Sequence, residues 1–264
     1  MSLRTRDHVV TKNLDSFFLG IYDAFKFISR FFREAFKKPF EIAELKKQCY
    51  EIGVRSLPLI TLTGFVTGVV FTKQSRPSLQ DLGAVSWLPS LIAIALIRAL
   101  APLVTSLICA GKIGSNIGAQ LGSMRVTEQI DAIDVSGVNA FKYLVVTRVS
   151  ATTFMVPILM MYFAFIGLIG SYFNVHTNES TSFVSYFQEA FSPISFIDVF
   201  TGLFKSIMFG FTIGMVGCYK GFNATRGTEG VGKAANMAVV VSMFLIFVEE
   251  IVIVQFSTWL QTIH

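Results

Sequence analysis

Five long apolar stretches alternate with short polar segments along the chain. They cover about residues 54–72, 87–110, 141–173, 199–218 and 235–260. Each is close to or above the roughly 20 apolar residues that a helix needs to cross a bilayer, and the third is long enough to tilt or to project beyond it. The pattern therefore predicts an all-α integral membrane protein with five transmembrane helices.

A different pattern precedes the first of these stretches. From residue 14 to residue 36, apolar residues recur at helical spacing, while acidic and basic residues occupy the other faces. Because charges interrupt the apolar face every few residues, we predict an amphipathic helix that lies in the headgroup region and does not cross the bilayer. The alternative is a soluble amphipathic helix that packs on a partner. A cleaved signal peptide is not expected, since no small-residue cleavage site follows.

Small residues give way to polar ones between the second and third stretches. Gly114, Gly118 and Gly122 are spaced four apart, and Gly111 precedes them, so one bare helix face allows another helix to approach closely. Polar and apolar residues then alternate as in a short amphipathic helix at the cytoplasmic surface. Its residues are Val126, Thr127, Glu128, Gln129, Ile130, Asp131 and Ile133. We predict that this helix docks into another protein, with Ile130 as the apolar anchor.

Composition leads to the membrane independently. Hydrophobic residues make up 53% of the 264 residues, charged residues make up only 15%, and the mean hydropathy is +0.61. A soluble domain carries roughly 25% charged residues. The composition therefore excludes an ordinary soluble enzyme or binding domain.

The distribution of lysine and arginine predicts the orientation. Eleven of the 22 lie in residues 1–55, whereas the loop at 174–198 and the C-terminal tail contain none. The positive-inside rule then places the N-terminus in the cytoplasm and the C-terminus outside. We divide the chain into a cytoplasmic N-terminal region, residues 1–53, and a five-span domain, residues 54–264. Residues 181–191 are predicted to form a short helix in the outer loop.

Three segments resemble the MlaE/YrbE-type permeases, the membrane subunits of ABC transporters that work with MCE-domain proteins on lipids. Residues 98–102 read RALAP, residues 110–114 read AGKIG, and residues 119–133 read AQLGSMRVTEQIDAI. The family typically shows R-E-L-G-P, A-G-R-x-G and A-E-L-G-x-M-x-V-T-E-Q-I-D-A-L at these places. Ala99 and Gln120 stand where glutamates are usual, so this chain lacks two acids of the family pattern.

Ionisable residues inside the predicted spans are candidate functional groups. They are Arg98, Lys205, Glu249 and Glu250. A charge at the bilayer centre costs roughly 2.5 to 3.5 kcal/mol on insertion scales, so an interaction must offset it. Two interpretations stay open: a structural ion pair, for instance Arg98 with Glu250, or a polar cavity wall that meets a lipid headgroup. The resemblance implies the second, because Arg98, Lys205 and Glu250 match positions where charges recur in the family.

Other chemical motifs are incomplete. Residues 227–233 fit the nucleotide-binding pattern G-x-x-x-x-G-K, but Ala234 follows where a magnesium-binding hydroxyl is needed, and a membrane span begins almost at once. His8, His176 and His264 are scattered over both sides of the membrane, and the three cysteines form no C-x-x-C pair. We predict no catalytic residue, metal or cofactor in this chain, which is therefore not an enzyme by itself.

The resemblance implies a homodimeric permease subunit in the inner membrane. It further implies a separate cytoplasmic ATPase that uses ATP and magnesium, a periplasmic MCE-domain partner, and a phospholipid or related lipid as substrate, and it leaves room for a small STAS-type regulator. The transport direction and the headgroup stay open. The competing hypotheses are an ATP-independent channel or secondary transporter, and a membrane scaffold. No internal repeat supports the secondary transporter.

Overall fold

A computed structural model describes residues 3–38, 40–225 and 227–263, with side chains at 19–38, 40–225 and 227–259. The described chain is all-α. Its helices are α1 (Leu3–Ala35), α2 (Ile42–Gly53), α3 (Leu57–Asp81), α4 (Leu88–Ala95), α5 (Ala101–Cys109), α6 (Ser115–Val126), α7 (Gln129–Val135), α8 (Thr147–Glu179), α9 (Phe183–Phe191), α10 (Phe196–Phe222) and α11 (Thr228–Ile263). Short 3₁₀ or π-helical turns join several of them into longer continuous helices.

Among the residues that the structure describes, five helical segments are long and apolar enough to cross a membrane, which confirms the predicted number of spans. They are Ile42–Asp81, Val85–Val126, Phe141–Glu179, Phe196–Phe222 and Thr228–Trp259. Most extend well beyond the apolar stretches, because a helix can continue on polar residues once it has left the hydrocarbon region. The first begins at Ile42, so α2 forms the polar start of the first span.

α8 is the central helix of the bundle, with α3 and α10 packed on it at glycines. A Cβ atom at Gly68 would lie 1.9 Å from the backbone oxygen of Gly167 in α8. At Gly214 of α10 it would lie 2.2 Å from Oγ1 of Thr152, which is also in α8. Side chains at these two glycines would force the helices apart, so the close approach depends on their absence.

α6 packs between α10 and α11 along the glycine face noted in the sequence. A Cβ atom at Gly118 would lie 3.1 Å from the carbonyl oxygen of Ala234 in α11, and on the other side the backbone of Gly118 is close to Gly221 of α10. The contacts at Gly122 are looser, at 3.4 Å or more. Gly111 would meet only the Met243 methyl group, at 3.8 Å. The tight part of this face is therefore short.

The two ends of the bundle carry different small helices. We call the end that holds α1 and α7 the α7 end, and the opposite one the α9 end. α1 is tied to the α7 end by Glu34, whose Oε2 accepts a hydrogen bond from Nδ2 of Asn139 at 3.1 Å. A hydrogen bond from Lys37 lowers the pKa of this glutamate, which favours its charged form.

α1 has two apolar faces. Phe27 and Phe31 are buried against aromatic residues of the bundle, including Phe141 and Phe211. Tyr22 and Phe25, in contrast, are more than half exposed. The exposed aromatic face fits the predicted position in the headgroup region. The side chains at residues 14, 17 and 18, which belong to the predicted pattern, lie outside the described side chains.

α9 confirms the short helix predicted in the loop between the third and fourth spans. Ser182 caps it, since its Oγ accepts a hydrogen bond from the Ser185 amide at 3.2 Å. Tyr186 is fully buried, and burial raises its pKa to about 12. The loop is therefore folded back against the α9 end of the bundle.

Candidate functional site

A π-helical turn and the start of α10 bring Arg98 and Asp198 together. Residues Leu96–Leu100 form the π turn, which ends two residues before Pro102, whose backbone nitrogen carries no hydrogen to donate. Arg98 Nε lies 2.7 Å from Asp198 Oδ1, and Arg98 Nη2 lies 3.0 Å from Oδ2. This two-point contact is the strongest geometry that a guanidinium and a carboxylate form.

Asp198 also takes part in the N-terminal cap of α10, whose N-cap residue is Ser195. Its Oδ2 accepts a hydrogen bond from the Ser195 amide at 2.9 Å, and the two residues form a capping box. The Asp198 side chain is 3% exposed, whereas that of Arg98 is 46% exposed. The carboxylate is thus held firmly, and the guanidinium keeps one side free.

Lys205 and Glu250 form a second ion pair beside the first. Lys205 Nζ donates to Glu250 Oε1 at 2.6 Å and to the Arg98 carbonyl oxygen at 3.1 Å. The pair of Arg98 with Glu250, named as an example for the structural interpretation, does not form, because each of these residues has a different partner. The physical reason is that the start of α10 brings Asp198 against Arg98, and Lys205, further along α10, faces α11.

These four residues, Arg98, Asp198, Lys205 and Glu250, are called the charge cluster below. They line a cavity of about 220 Å³ together with Thr201, Ser257 and other residues. A carboxylate oxygen of Glu250, Oε2, is buried there without a hydrogen-bond partner. The positive and negative charges of the cluster balance, but one carboxylate oxygen of Glu250 is still able to accept a hydrogen bond.

An apolar groove continues from this cavity. It has a volume of about 790 Å³, runs between α10 and α11, and shares Thr201 and Ser257 with the cavity. Its walls are mainly aromatic and aliphatic, with Phe200, Phe204 and Phe256 among them. The charged cavity and the apolar groove thus adjoin each other, and this arrangement suits an amphipathic molecule.

Glu249 is the fourth predicted charge, and it lines the groove. Its Oε1 accepts a hydrogen bond from Thr212 Oγ1 at 2.5 Å, and its Oε2 is buried without a partner. Glu249 and Glu250 therefore face different surroundings although they are neighbours in sequence. Glu250 faces Lys205, and Glu249 faces the apolar groove.

The predicted docking helix forms, with a later start than expected. α6 continues to Val126, the chain turns at Thr127 and Glu128, and α7 begins at Gln129. Glu128 has a positive φ of 59°, which breaks the two helices apart. Asp131 forms an exposed ion pair with Arg125 at 2.7 Å, and Glu128 and Gln129 are exposed.

Ile130 is not available as an anchor for a partner, because it is 1% exposed and belongs to the hydrophobic core of this chain. The prediction of its role was wrong. Ile133 is half-buried against the same core, so the apolar stripe of α7 holds the helix on the bundle. The exposed apolar residue at this place is Val135, whose exposure is 89%.

Asp198 was absent from the sequence-based candidates. Its signal was present as Ser195 followed three residues later by an acid, directly before an apolar run, which is the pattern of a capping box. Residues 227–233, the incomplete nucleotide-binding pattern, lie at the start of α11, where the space for a Cβ atom at Gly230 is taken by the Thr225 carbonyl oxygen.

Comparisons with known proteins agree with this architecture. The family model described as "Permease MlaE" matches residues 45–256. A probable ABC transporter permease protein of Rickettsia prowazekii is 33% identical over 250 residues, which cover 94% of this chain and 96% of the relative. One from Synechocystis is 35% identical over 217 residues, 81% of this chain and 80% of the relative. A third, from Pyropia yezoensis, is 33% identical over 212 residues, which cover 80% of this chain and 81% of the relative. Five apolar spans and a match over most of the chain lead to one conclusion: the chain belongs to the MlaE permease family and is an ABC transporter permease.

Proposed function

We propose that this permease moves a phospholipid or related lipid between the inner membrane and a periplasmic MCE-domain partner. The observation that carries the proposal is the joining of the charge cluster to the apolar groove between α10 and α11. The charged cavity suits a polar headgroup, and the apolar groove suits an acyl chain, because each would bury the part of a lipid that has its own polarity. The unpartnered carboxylate oxygen of Glu250, which lines the charged cavity, favours a headgroup with N–H or O–H donors.

An ABC permease works with an ATPase, and we place the ATPase contact at the exposed residues of α7. ATP and magnesium would be bound by that partner chain. Two nucleotide sites need two membrane halves, so we propose a homodimer of this chain. The lysine- and arginine-rich α7 end faces the cytoplasm in this proposal, and the α9 end faces a periplasmic MCE-domain partner. A STAS-type regulator remains compatible with it.

ATP-driven closure of the ATPase dimer would push on α7. α6 precedes α7 with only a two-residue turn between them and packs directly on α10 and α11. A displacement of α6 would therefore shift the two helices that line the groove. Transport follows if the groove binds lipid more tightly in one arrangement than in the other.

Lipid retention by the purified chain tests the proposal. Thr201 and Ser257 stand where the cavity meets the groove, so Thr201→Trp should block the passage. We expect native mass spectrometry to find phospholipid on the wild-type chain and about five-fold less on Thr201→Trp, because an indole ring fills much of the junction. Thr153→Trp on α8 is the matched control, since Thr153 is also half-buried and lies away from the groove.

The control variant should keep its lipid, and both variants should elute as the wild type does. Equal lipid retention by Thr201→Trp and the wild type would contradict the assignment of the groove. ATP-independent ion conductance by the reconstituted chain, without lipid retention, would favour the channel hypothesis over lipid transport.

A further inference from the structure

A second polar cavity lies at the α7 end of the bundle, remote in sequence and in lining residues from the charge cluster. It has a volume of about 250 Å³ and is walled by α2, by the helix that runs from Lys112 to Gln120, and by Arg148 of α8. This volume is several times the roughly 30 Å³ that one water molecule occupies in the liquid. We call it the basic cavity.

Arg148 is the unusual residue of this cavity. It is 5% exposed, and its Nη1 donates to the Leu144 carbonyl oxygen of its own helix at 3.0 Å. Its Nε is buried without an acceptor, and no carboxylate of the described residues lies within 4.0 Å of the guanidinium. A buried charge without a counter-ion is costly, so a partner from outside the chain would remove the cost.

Ser56 supplies a second unpartnered group in the same wall. Its side chain is 1% exposed, and its Oγ is buried without a hydrogen bond. A serine in a helix usually donates to a backbone carbonyl one turn earlier, as Ser115 and Ser206 do in this chain. Two neighbouring side chains with unused hydrogen-bond donors thus belong to one cavity.

The cavity also has an excess of positive charge. Its lining contains four cationic and two acidic residues, which are Lys47, Arg55, Lys112, Arg148, Glu44 and Glu51. Glu51 is already paired with Arg55 at 2.5 Å. Glu44 accepts hydrogen bonds from Gln48 and from the Tyr143 hydroxyl. Glu51 is thus paired with Arg55, and the hydrogen-bond partners of Glu44 are neutral. Lys47, Lys112 and Arg148 form no ion pair with a carboxylate of the described residues.

Gln120 lies opposite these cations as a neutral residue. Lys112, Asn116 and Gln120 recur every four residues, so they share one face of their helix and line the cavity together. A glutamate at position 120 would supply a carboxylate to this cavity. Gln120 supplies no charge there, so this helix contributes Lys112 to the cavity and no carboxylate.

We infer that the basic cavity binds a phosphate-bearing anion. The arginine fork and the nearby lysines fit the charge and the several oxygens of a phosphate group better than they fit water alone. The phosphate has two conceivable sources: the headgroup of an anionic lipid in the leaflet at the α7 end, or a free phosphate from the solution on that side. The inference does not rest on the proposed transport function.

Thermal stability of the full chain, purified in phosphate-free detergent, tests the inference. One arm titrates sodium phosphate against sodium chloride at constant ionic strength, and the other compares nanodiscs of phosphatidylcholine with and without phosphatidylglycerol. A ligand that binds the folded chain raises the melting temperature. We expect a rise in at least one arm, and the arm that responds identifies the source.

Gln120→Glu should have two effects, and a cavity that binds no anion would not show both of them. It should weaken the response by about ten-fold in apparent affinity, because its carboxylate competes for Arg148. It should also raise the melting temperature without phosphate, since Arg148 gains a partner. Ser56→Ala should weaken the response by about two- to five-fold, as one neutral hydrogen bond is lost.

Ser106→Ala is the matched control, because Ser106 Oγ is equally buried without a partner but does not line the cavity. It should leave the response to both probes unchanged. Thr201→Trp should leave the response to sodium phosphate unchanged, because free phosphate has no acyl chain to place in the groove, and this separates the inference from the lipid groove. Absence of a response to both probes would mean that only water fills the cavity, and an unchanged response in Gln120→Glu would place the binding elsewhere. Either result overturns the inference.

Discussion

The charge cluster and the basic cavity both place cations inside an apolar bundle, yet they differ in how those cations are neutralised. In the charge cluster, Arg98 pairs with Asp198 and Lys205 pairs with Glu250, so charges balance and the atoms left over are acceptors. In the basic cavity, Arg148 forms no ion pair with a carboxylate of the described residues, and the atoms left over, Arg148 Nε and Ser56 Oγ, are donors. The first arrangement can hold helices together without a ligand, whereas the second gains stability only when an anion arrives.

Among the charged residues, removal of Lys205 should have the largest effect on stability. Its side chain is 4% exposed and that of Glu250 is 16% exposed, so Lys205→Met leaves a largely buried carboxylate without its partner. We expect a loss of about 3 kcal/mol, which is typical of a broken buried pair. Denaturant unfolding of the purified chain in detergent would measure it.

The double variant with Lys205→Met and Glu250→Gln should recover most of that loss, since the cost comes from the unpaired charge. Arg148→Gln is the comparison at the other end: it removes a charge that has no counter-ion, so it should cost much less or even stabilise the ligand-free chain. Equal losses in the two single variants would contradict the distinction between the two regions.

The spans could be predicted because their apolar length is a local property of the sequence. The packing glycines were equally visible, and Gly118 contacts α11 as its spacing suggested. The ion-pair partners of the charged residues were not visible in the sequence, because the pairing depends on how each helix is rotated about its axis. Arg98 turned out to face the first turn of α10, where Asp198 was hidden as an ordinary capping residue.

The basic cavity was missed for a related reason. Arg148 lies within the predicted third span, and a charge there was a signal of the same kind as Arg98. Its importance comes from the partner that it lacks, which no local pattern reveals. Ile130 shows the opposite error: an apolar residue on a polar helix could face a partner or its own bundle, and only tertiary packing distinguishes the two.

Gly118→Ala should have an intermediate effect. The added Cβ would lie 3.1 Å from the Ala234 carbonyl oxygen and at the same distance from the Ala238 Cβ, so α6 must move away from α11. We expect a loss of about 1 to 3 kcal/mol, in the range of overpacked interiors. The same displacement shifts a wall of the basic cavity, since Ile117 lines it.

Gly111→Ala is the control on the same glycine face. Its Cβ would meet only the flexible Met243 methyl group, at 3.8 Å, and alanine favours a helix over glycine by up to about 1 kcal/mol. Unfolding measurements should therefore find this variant neutral or slightly stabilised. A loss as large as that of Gly118→Ala would show that the glycine face is tight along its whole length.

Charge reversal on α7 should have the smallest effect on stability. Glu128 and Asp131 are exposed, and the Arg125–Asp131 pair is a surface ion pair, which contributes about 0 to 1 kcal/mol. The combined variant Glu128→Lys and Asp131→Lys should nevertheless abolish co-purification of the ATPase, because it reverses the charge of the exposed face that we assign to docking. Glu229→Lys, which changes an exposed acid at the start of α11 on the same end, should leave the ATPase bound.

Ile130→Ala is not a clean test of docking, since it removes a core residue and should cost about 2 to 5 kcal/mol. If the α7 variant folded with an unchanged melting temperature and still retained the ATPase, the docking surface would have to lie elsewhere on the α7 end.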